Sequence, residues 1–358
     1  MKKTPKYRMI YDHYRDLIDS GALQSGEKLP TEDEITRKFG VSHITAISAL
    51  KQLAADGYVT RIQGSGTYVR AKTLSVFDIT RVVLLVIPFM GKGRESRLIE
   101  SIERTLGQVG YTLMIKNSHD DDEVEKQIIQ EFRDHVSGIL LYPCMKLSNI
   151  ELYRHFYEID YPIVYLDRYP TVVPCRFVSS DNAQGGTLIA KFVLNRKYER
   201  FVLMFHNLQG LTSERDRLNG FMNVLVDNDI PDAHAHAFFY DSGVMFEGIS
   251  KVADQVVTLL DEGYRTALIT CNDSIAYHMM DEFKRRGINR PDDQLMVAGF
   301  DNLNIAPVSI PFVTISQQHG DIGRYSAKIL IRQMEHPRPY FEYRYVPVEL
   351  HEPVDDGR

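Results

Sequence analysis

The sequence predicts an α/β protein in two parts: a small unit of three helices and a two-stranded hairpin, then a large body of parallel sheets in two lobes. Three observations predict it. Apolar residues recur at helical spacing, with start and stop signals, up to Asp56-Gly57. Two short β-rich runs then flank a glycine-rich turn. From residue 82 onward, short apolar runs alternate with amphipathic segments, the pattern of buried parallel strands joined by helices.

Residues 7–20 place Ile10, Tyr11, Tyr14, Leu17 and Ile18 on one helix face, and Gly21 stops the run. Leu29-Pro30 is extended. Thr31-Glu32-Asp33-Glu34 then supplies a capping box, in which the hydroxyl and the later carboxylate satisfy each other's orphan amides. Phe39-Gly40 closes this second helix, Val41 fills the turn, and Ser42 caps a third. The third helix is expected to turn Ile44, Ile47, Leu50, Leu53 and Ala54 to the core. Residues 58–62 and 67–69 read as strands about the turn Gln63-Gly64-Ser65-Gly66. Helix, tight turn, helix and hairpin together make a winged helix-turn-helix.

Such a unit lays its last helix in the major groove of DNA, with the first turns facing base edges. That nominates Ser42, His43, Thr45 and Ser48. In the wing, Gln63, Gly64, Ser65 and Gly66 leave little side-chain bulk, so the backbone can approach a phosphate or the minor groove. Lys28, Arg37, Lys38, Lys51 and Arg61 are candidates for phosphate, and each is equally an ordinary solvated charge. Thr31 and Glu32, at the opening of the second helix, complete the candidate DNA-binding set.

Bulk properties agree with two unlike parts. The 358 residues are 44% hydrophobic and 25% charged, ordinary for a globular chain of two or three domains. Residues 1–70 hold 11 Lys and Arg against 8 Asp and Glu, a net of +3, whereas the rest hold 31 against 40, a net of −9. A positive unit joined to a negative one fits a nucleic-acid reader attached to something else. The longest apolar stretch, residues 82–87, is too short to span a bilayer. The early lysines precede no apolar core of a signal peptide. A cytoplasmic protein with no membrane partner is expected. Cys144, Cys175 and Cys271 are far apart and form no CxxC pair, so reduced thiols are expected rather than disulfides or a zinc site.

In the body, residues 82–87, 138–142, 163–166, 201–205, 267–270 and 295–299 read as buried strands. Residues 122–135, 215–227 and 274–286 read as helices, with Gly287 stopping the last. Residues 71–79 are a linker and residues 80–358 the body. Ligands of parallel sheets bind beyond the carboxyl ends of the strands. Phe89 follows the first strand, Ser213 to Arg217 follow the fourth, Asn272 and Asp273 the fifth, and Asp301 the sixth. Carboxylates that accept, an arginine that donates and an aromatic that covers C–H faces suit a polyhydroxylated ligand. Asn272, Asp273 and Asp301 would serve equally as helix caps.

Two resemblances sharpen this reading. Residues 26–69, with LPTE, FGVS and QGSGTYV in that order, resemble the DNA-binding domain of the GntR family of bacterial regulators. The family usually has basic residues where this chain has His43 and Ile47, which implies an unusual operator or more reliance on phosphates. The body resembles the effector domain of the lac repressor family, itself similar to periplasmic sugar-binding proteins. Its carriers are VSSDNAQGG, SERDRLNGF, TCNDSIAYHMMDEFKRRG, VAGFDN and VTISQQHGDIG. The resemblance implies ligand contacts at Asp181, Ser213, Arg217, Asn272, Asp273, Asp301 and Gln317, with Arg168 a further candidate. Around residues 91–97 the family often has aromatics, and Arg94 and Glu95 stand there instead as polar candidates. The pairing of head and body is similar to arabinose-operon repressors of Gram-positive bacteria. It implies a homodimer on operator DNA, released by a sugar, with L-arabinose or a similar pentose the leading candidate. A sugar phosphate, a purine or an amino acid as effector, and a corepressor sign, stay open.

Other signals carry less. His234 and His236 would share a strand face but lack a third ligand. Gly91-Lys92-Gly93 lacks the length and hydroxyl of a phosphate loop. The acidic run 120–123 reads as charge complementing a helix dipole. No nucleophile elbow, zinc-protease motif or catalytic triad stands out. Neither an enzyme, a cofactor nor a metal is expected.

Overall fold

The computed structural model describes residues 6–19, 22–24, 26–55, 58–62, 64–69, 81–89, 94–207, 212–241, 244–288, 294–303, 310–336 and 342–352. The chain divides into two compact units, Met1–Asp78 and Ile79–Arg358. The segment read as a linker, 71–79, lies outside the described residues.

The first unit contains α1 (Lys6–Asp19), α2 (Glu32–Phe39), α3 (His43–Ala55), β1 (Val59–Ile62) and β2 (Gly66–Val69). The expected capping box is formed, with Glu34 N donating to Thr31 Oγ1 and the Glu34 carboxylate accepting from Thr31 N. Gly40 ends α2 at φ 59°, the left-handed region that glycine enters without penalty. β1 and β2 pair antiparallel, and the chain at 26–29 runs along β2 through Leu29 N to Thr67 O (2.8 Å) and Val69 N to Glu27 O (2.8 Å).

The core of this unit differs from expectation at α3. Ile44 is not buried but 76% exposed, whereas Ala46, Ala49, Leu50 and Leu53 face inward with Ile10, Tyr14 and Ile35. The inward stripe starts at Ala46 and repeats at i+3, i+4 and i+7. Counting large apolar side chains undervalues alanine, which here sits where α3 packs against α1.

The second unit runs β3 (Val82–Ile87), α4 (Arg94–Gly107), β4 (Thr112–Asn117), α5 (Asp122–Phe132), β5 (Gly138–Leu141), α6 (Ile150–Glu158), β6 (Ile163–Leu166), β7 (Phe177–Ser180), α7 (Asn182–Asn195) and β8 (Arg200–His206). It continues with α8 (Thr212–Asp227), β9 (Ala235–Tyr240), α9 (Met245–Asp261), β10 (Thr266–Thr270), α10 (Asp273–Arg285), β11 (Leu295–Ala298), β12 (Phe312–Ser316), α11 (His319–Glu335), β13 (Tyr343–Val346) and β14 (Glu349–His351). One sheet has the order β13-β7-β6-β5-β3-β4 and is wholly parallel. The other has the order β14-β12-β11-β10-β8-β9, parallel except for β14. The expected α/β class with parallel sheets in two lobes is what the chain adopts. Every run read as a strand is one. The strands not foreseen include β4 and β9, which are partly exposed edge strands and so carry mixed rather than apolar sequences.

The chain passes between the sheets three times: from β7 to α7, from β12 to α11, and from β13 to β14. The crossings are laced together. Asp181 N donates to Val346 O (2.7 Å), Val348 N to Gln184 Oε1 (2.9 Å), and Ser180 Oγ to Gln317 Oε1 (2.6 Å). Because they leave from carboxyl ends of strands, the carboxyl ends of both sheets face the same space.

Candidate functional site

In the first unit, the polar side chains nominated on α3 are largely engaged with one another. Ser42 Oγ lies 2.8 Å from Thr45 Oγ1 and accepts from Thr45 N at 3.4 Å, so it caps α3. Ser48 Oγ donates to Ile44 O at 2.8 Å. His43 Nε2 stands 3.5 Å from carboxylate oxygens of both Glu32 and Asp33. Glu32 also pairs with Arg61 on β1. Thr31 is held in the capping box, Arg37 donates to Asp33 O at 3.4 Å, and Lys51 is exposed on α3. In the wing, Gly64 has φ 76° and Gly66 φ 131°, where side chains other than glycine are strained. A Cβ on Gly66 would also sit 2.5 Å from Lys28 Cε. Ser65 Oγ and Tyr68 OH share a hydrogen bond at 2.7 Å. Gln63 lies outside the described residues.

In the second unit, polar residues at the strand ends of the two sheets come together, as Tyr169 N donates to Thr212 Oγ1 at 3.3 Å and Ser180 Oγ to Gln317 Oε1 at 2.6 Å. On the first lobe, Phe89 meets Tyr142 edge-on at 5.6 Å between centroids. Tyr142 OH donates to Asp167 Oδ2 at 2.8 Å. The buried Arg168 guanidinium lies 5.0 Å over the Tyr142 ring, donates to Pro143 O at 3.1 Å and stands 3.9 Å from Asp120. Glu95 is buried in the first turn of α4; the Arg94 side chain is outside the described residues.

On the second lobe, Arg217 of α8 is the anchor. It is 8% exposed; its Nε donates to Asn182 Oδ1 at 2.8 Å and one terminal nitrogen to Cys271 O at 2.7 Å. Its guanidinium carbon lies 3.8 Å from the centroid of Phe300. Two of five donors are thereby spent holding the guanidinium over an aromatic face. Ser213 is buried one turn earlier on α8. Asp301 is 8% exposed and adopts φ 122°. Strain of that kind costs about 1–3 kcal/mol and clusters at functional sites. Gln317 joins it by donating from Nε2 to Asp301 Oδ1 and accepting from Ser180.

Other nominated residues have structural duties. Asn272 caps α10 by accepting from Ile275 N at 3.0 Å. Asp273 is fully buried and accepts from Leu303 N and Thr314 Oγ1, both at 2.7 Å. Asp181 caps α7 by accepting from Gln184 N at 2.8 Å, within a crossing between the lobes.

Sequence reasoning passed over several neighbours. Tyr142, Asp167 and His206 stand at or just after ends of expected strands, the same signal that found Phe89. His206 Nδ1 lies 2.8 Å from Glu214 Oε1 and 3.6 Å from Cys271 Sγ, with Tyr240 OH also 3.6 Å from that sulfur. Burial pushes the Glu214 carboxyl up, but the hydrogen bonds and charge of His206, with the charge of Arg217, outweigh it and hold the group below the ordinary glutamate value. Burial pushes the Cys271 thiol well up. His206, Glu214 and Cys271 are, among the described residues, the donor atoms grouped as a metal site would need, within 4.8 Å of one another. The His206–Glu214 hydrogen bond accounts for that grouping. His234 lies in a turn ahead of β9, so it does not share a strand with His236. An open pocket of about 320 Å³ beside Tyr240, lined by Asn207, Phe239, Tyr240 and Asp241, flanks this corner rather than the Arg217 anchor.

Residues 6–69 match the model of the gntR family of bacterial regulatory proteins, and residues 190–352 match the periplasmic binding protein-like domain. The first unit thus matches a DNA-binding domain and much of the second a periplasmic binding protein-like domain, the architecture of a two-module transcription regulator, and the relatives it resembles are transcription regulators rather than enzymes. It is 28% identical over 342 residues to an arabinose metabolism transcriptional repressor of Geobacillus stearothermophilus, covering 93% of this chain and 92% of that one. It is 26% identical over 272 residues to a ribose operon repressor of Halalkalibacterium halodurans, covering 74% and 76% of the two chains. Among solved structures, a ribose-bound LacI family regulator from Enterococcus faecium matches at TM-score 0.60 and 20% identity, over 76% of this chain and 97% of that one, a likeness of fold. No helix of the described residues is long and apolar enough to cross a membrane.

Proposed function

We propose that the protein represses sugar-utilisation genes and leaves its operator when a small neutral sugar, with L-arabinose or a similar pentose first among candidates, enters the cleft of the second unit. The observation that carries this is Arg217, set over the Phe300 ring with donors to spare and close enough to Glu214 for their charges to act on each other. Donors and acceptors of both kinds around an aromatic face suit hydroxyl groups. Four buried or half-buried groups, Phe89, Arg168, Ser213 and Gln317, complete the proposed contacts, with Glu95 and Arg94 at the entrance of α4. Asp181, Asn272 and Asp273 support the site through the helices they cap or brace. The acidic groups favour a neutral polyol over a sugar phosphate, since each carboxylate would repel an anion. Names of the relatives, which include arabinose and ribose repressors, support the same reading.

On DNA, α3 enters the major groove with Ser42, His43, Thr45, Ser48 and Lys51 near the duplex. Thr31, Glu32 and Arg37 flank it, and Gly64, Ser65 and Gly66 of the wing approach the duplex, with Gln63 a further candidate contact. A homodimer places two such heads on two half-sites, in the cytoplasm where promoters lie. Effector and operator oppose each other by linkage: each weakens the other's binding by the same factor, because they favour different lobe arrangements.

The test is a thermal-shift panel of neutral pentoses and hexoses, sugar phosphates, purines and amino acids, followed by promoter-fragment release with each binder. Stabilisation by a pentose, together with release of DNA, is expected. Stabilisation by anions alone, or tighter DNA binding with sugar, would overturn the proposal.

A further inference from the structure

The exposed face of α3 carries a large apolar side chain, Ile44, that lies outside the hydrophobic core formed by the described residues of its unit. Ile44, Ser48 and Lys51 are spaced i, i+4 and i+7, a single stripe opposite the buried Ala46, Ala49, Leu50 and Leu53. Ile44 is 76% exposed, the highest among the large hydrophobic side chains described. A lone exposed isoleucine needs no explanation on an ordinary surface. This one stands at the second residue of the helix that a helix-turn-helix unit presents to base edges.

Its polar neighbours are engaged elsewhere. The hydroxyls of Ser42 and Thr45 are bonded to each other, and Ser48 bonds back to the Ile44 carbonyl. His43 faces Glu32 and Asp33. Along the first turn of α3, the long side chain left facing outward is therefore apolar. The major groove offers one apolar group to such a side chain, the C5 methyl of thymine.

We propose that Ile44 is a specificity determinant that packs against a thymine methyl in each operator half-site. This rests on the DNA-binding reading above. The contact replaces the base-edge hydrogen bonding that a basic residue at this turn would supply. Thymine is thus selected over cytosine at that base by a methyl group rather than by a donor or acceptor.

The experiment separates this from the reading it rests on. The full-length protein selects duplexes from a random library, and the consensus is remade with deoxyuridine replacing each thymidine in turn. Deoxyuridine keeps the base pair and removes only the methyl. At one thymine per half-site, the replacement should weaken the wild-type protein about fourfold, the factor for one buried methyl-sized group. Ile44→Ala should bind the thymine operator more weakly and should not distinguish it from the deoxyuridine version. Unfolding of that variant should match the wild type, since the side chain is largely exposed and lies outside the core cluster of the described residues. Three results would overturn the proposal: no methyl dependence at any thymine, methyl dependence retained in Ile44→Ala, or equal weakening by Ile44→Ala on every duplex whatever its sequence. Failure to enrich any duplex would instead remove the DNA-binding reading, and this inference with it.

Discussion

A single methyl group added between α7 and α8 should disable the proposed effector site without touching the DNA-binding unit. The two helices pack backbone to backbone. A Cβ on Gly186 would lie 2.0 Å from Arg217 O and 2.8 Å from Phe221 N, and one on Gly220 would lie 2.1 Å from Ala183 O. Real Cβ atoms do not come within 3.0 Å of such atoms, so Gly186→Ala obliges α8 to retreat by about 1 Å or more. The obstacle is backbone, which cannot swing aside as a side chain would. Overpacking of this kind costs about 1–3 kcal/mol, which lowers the unfolding midpoint of a body this size by roughly 2–10 °C.

The larger effect is on binding, because α8 carries Arg217. Its bonds to Asn182 and Cys271, at 2.8 and 2.7 Å, would stretch beyond hydrogen-bonding range with a shift of that size. Hydrogen bonds to a charged group contribute about 1.5–3 kcal/mol each, so effector affinity should fall at least tenfold. Scanning calorimetry and effector titration calorimetry measure the two quantities. Gly220→Ala should behave alike. Gly107→Ala, where a Cβ meets nothing within 4 Å, is the control and should change neither. Operator affinity without effector should match the wild type in all three. If Gly186→Ala melted and bound effector as the parent does, the close helix contact would not be what positions Arg217.

Three further expectations follow from the same geometry. Arg217→Ala should abolish release of operator by effector while leaving operator affinity intact, measured by fluorescence anisotropy with and without sugar; weakened DNA binding with the response preserved would place the effector elsewhere. Replacing Gly64 and Gly66 by valine, at φ 76° and 131°, should weaken operator binding with effector affinity unchanged, and equal operator affinity would take the wing out of the interface. The folded Glu214 carboxyl binds its proton less readily than in the unfolded chain, so it adds stability above the ordinary glutamate value and loses it as pH falls through the folded value. Chemical denaturation across the acid range should show that limb, and Glu214→Gln should flatten it; an unaltered limb would mean that the His206–Glu214 pair contributes nothing to folding.

Much of the candidate site was legible because it follows from position in the chain. Phe89, Ser213, Arg217 and Asp301 stand just past apolar runs, and parallel sheets gather their strand ends. What the sequence did not show is which of these side chains are committed inside the protein. Asn272 and Asp273 look alike on paper, yet one caps α10 and the other is sealed beneath Thr314 and Leu303. His206, Glu214 and Cys271 converge from separate elements, so no spacing could announce them. Ile44 was assigned inward because periodicity weighs bulk, and Ala46 and Ala49 took the core instead.

The amino-acid sequence by itself determined the two modules, the helix-turn-helix with its hairpin and the alternation that makes parallel sheets. Those are consequences of local spacing, caps and turns, which act over a few residues. Only the tertiary structure decided the three laced crossings, the backbone contact of α7 with α8 and the seat of Arg217 on Phe300. These join residues far apart in the chain, and they depend on which surfaces pack closely enough to exclude a methyl group.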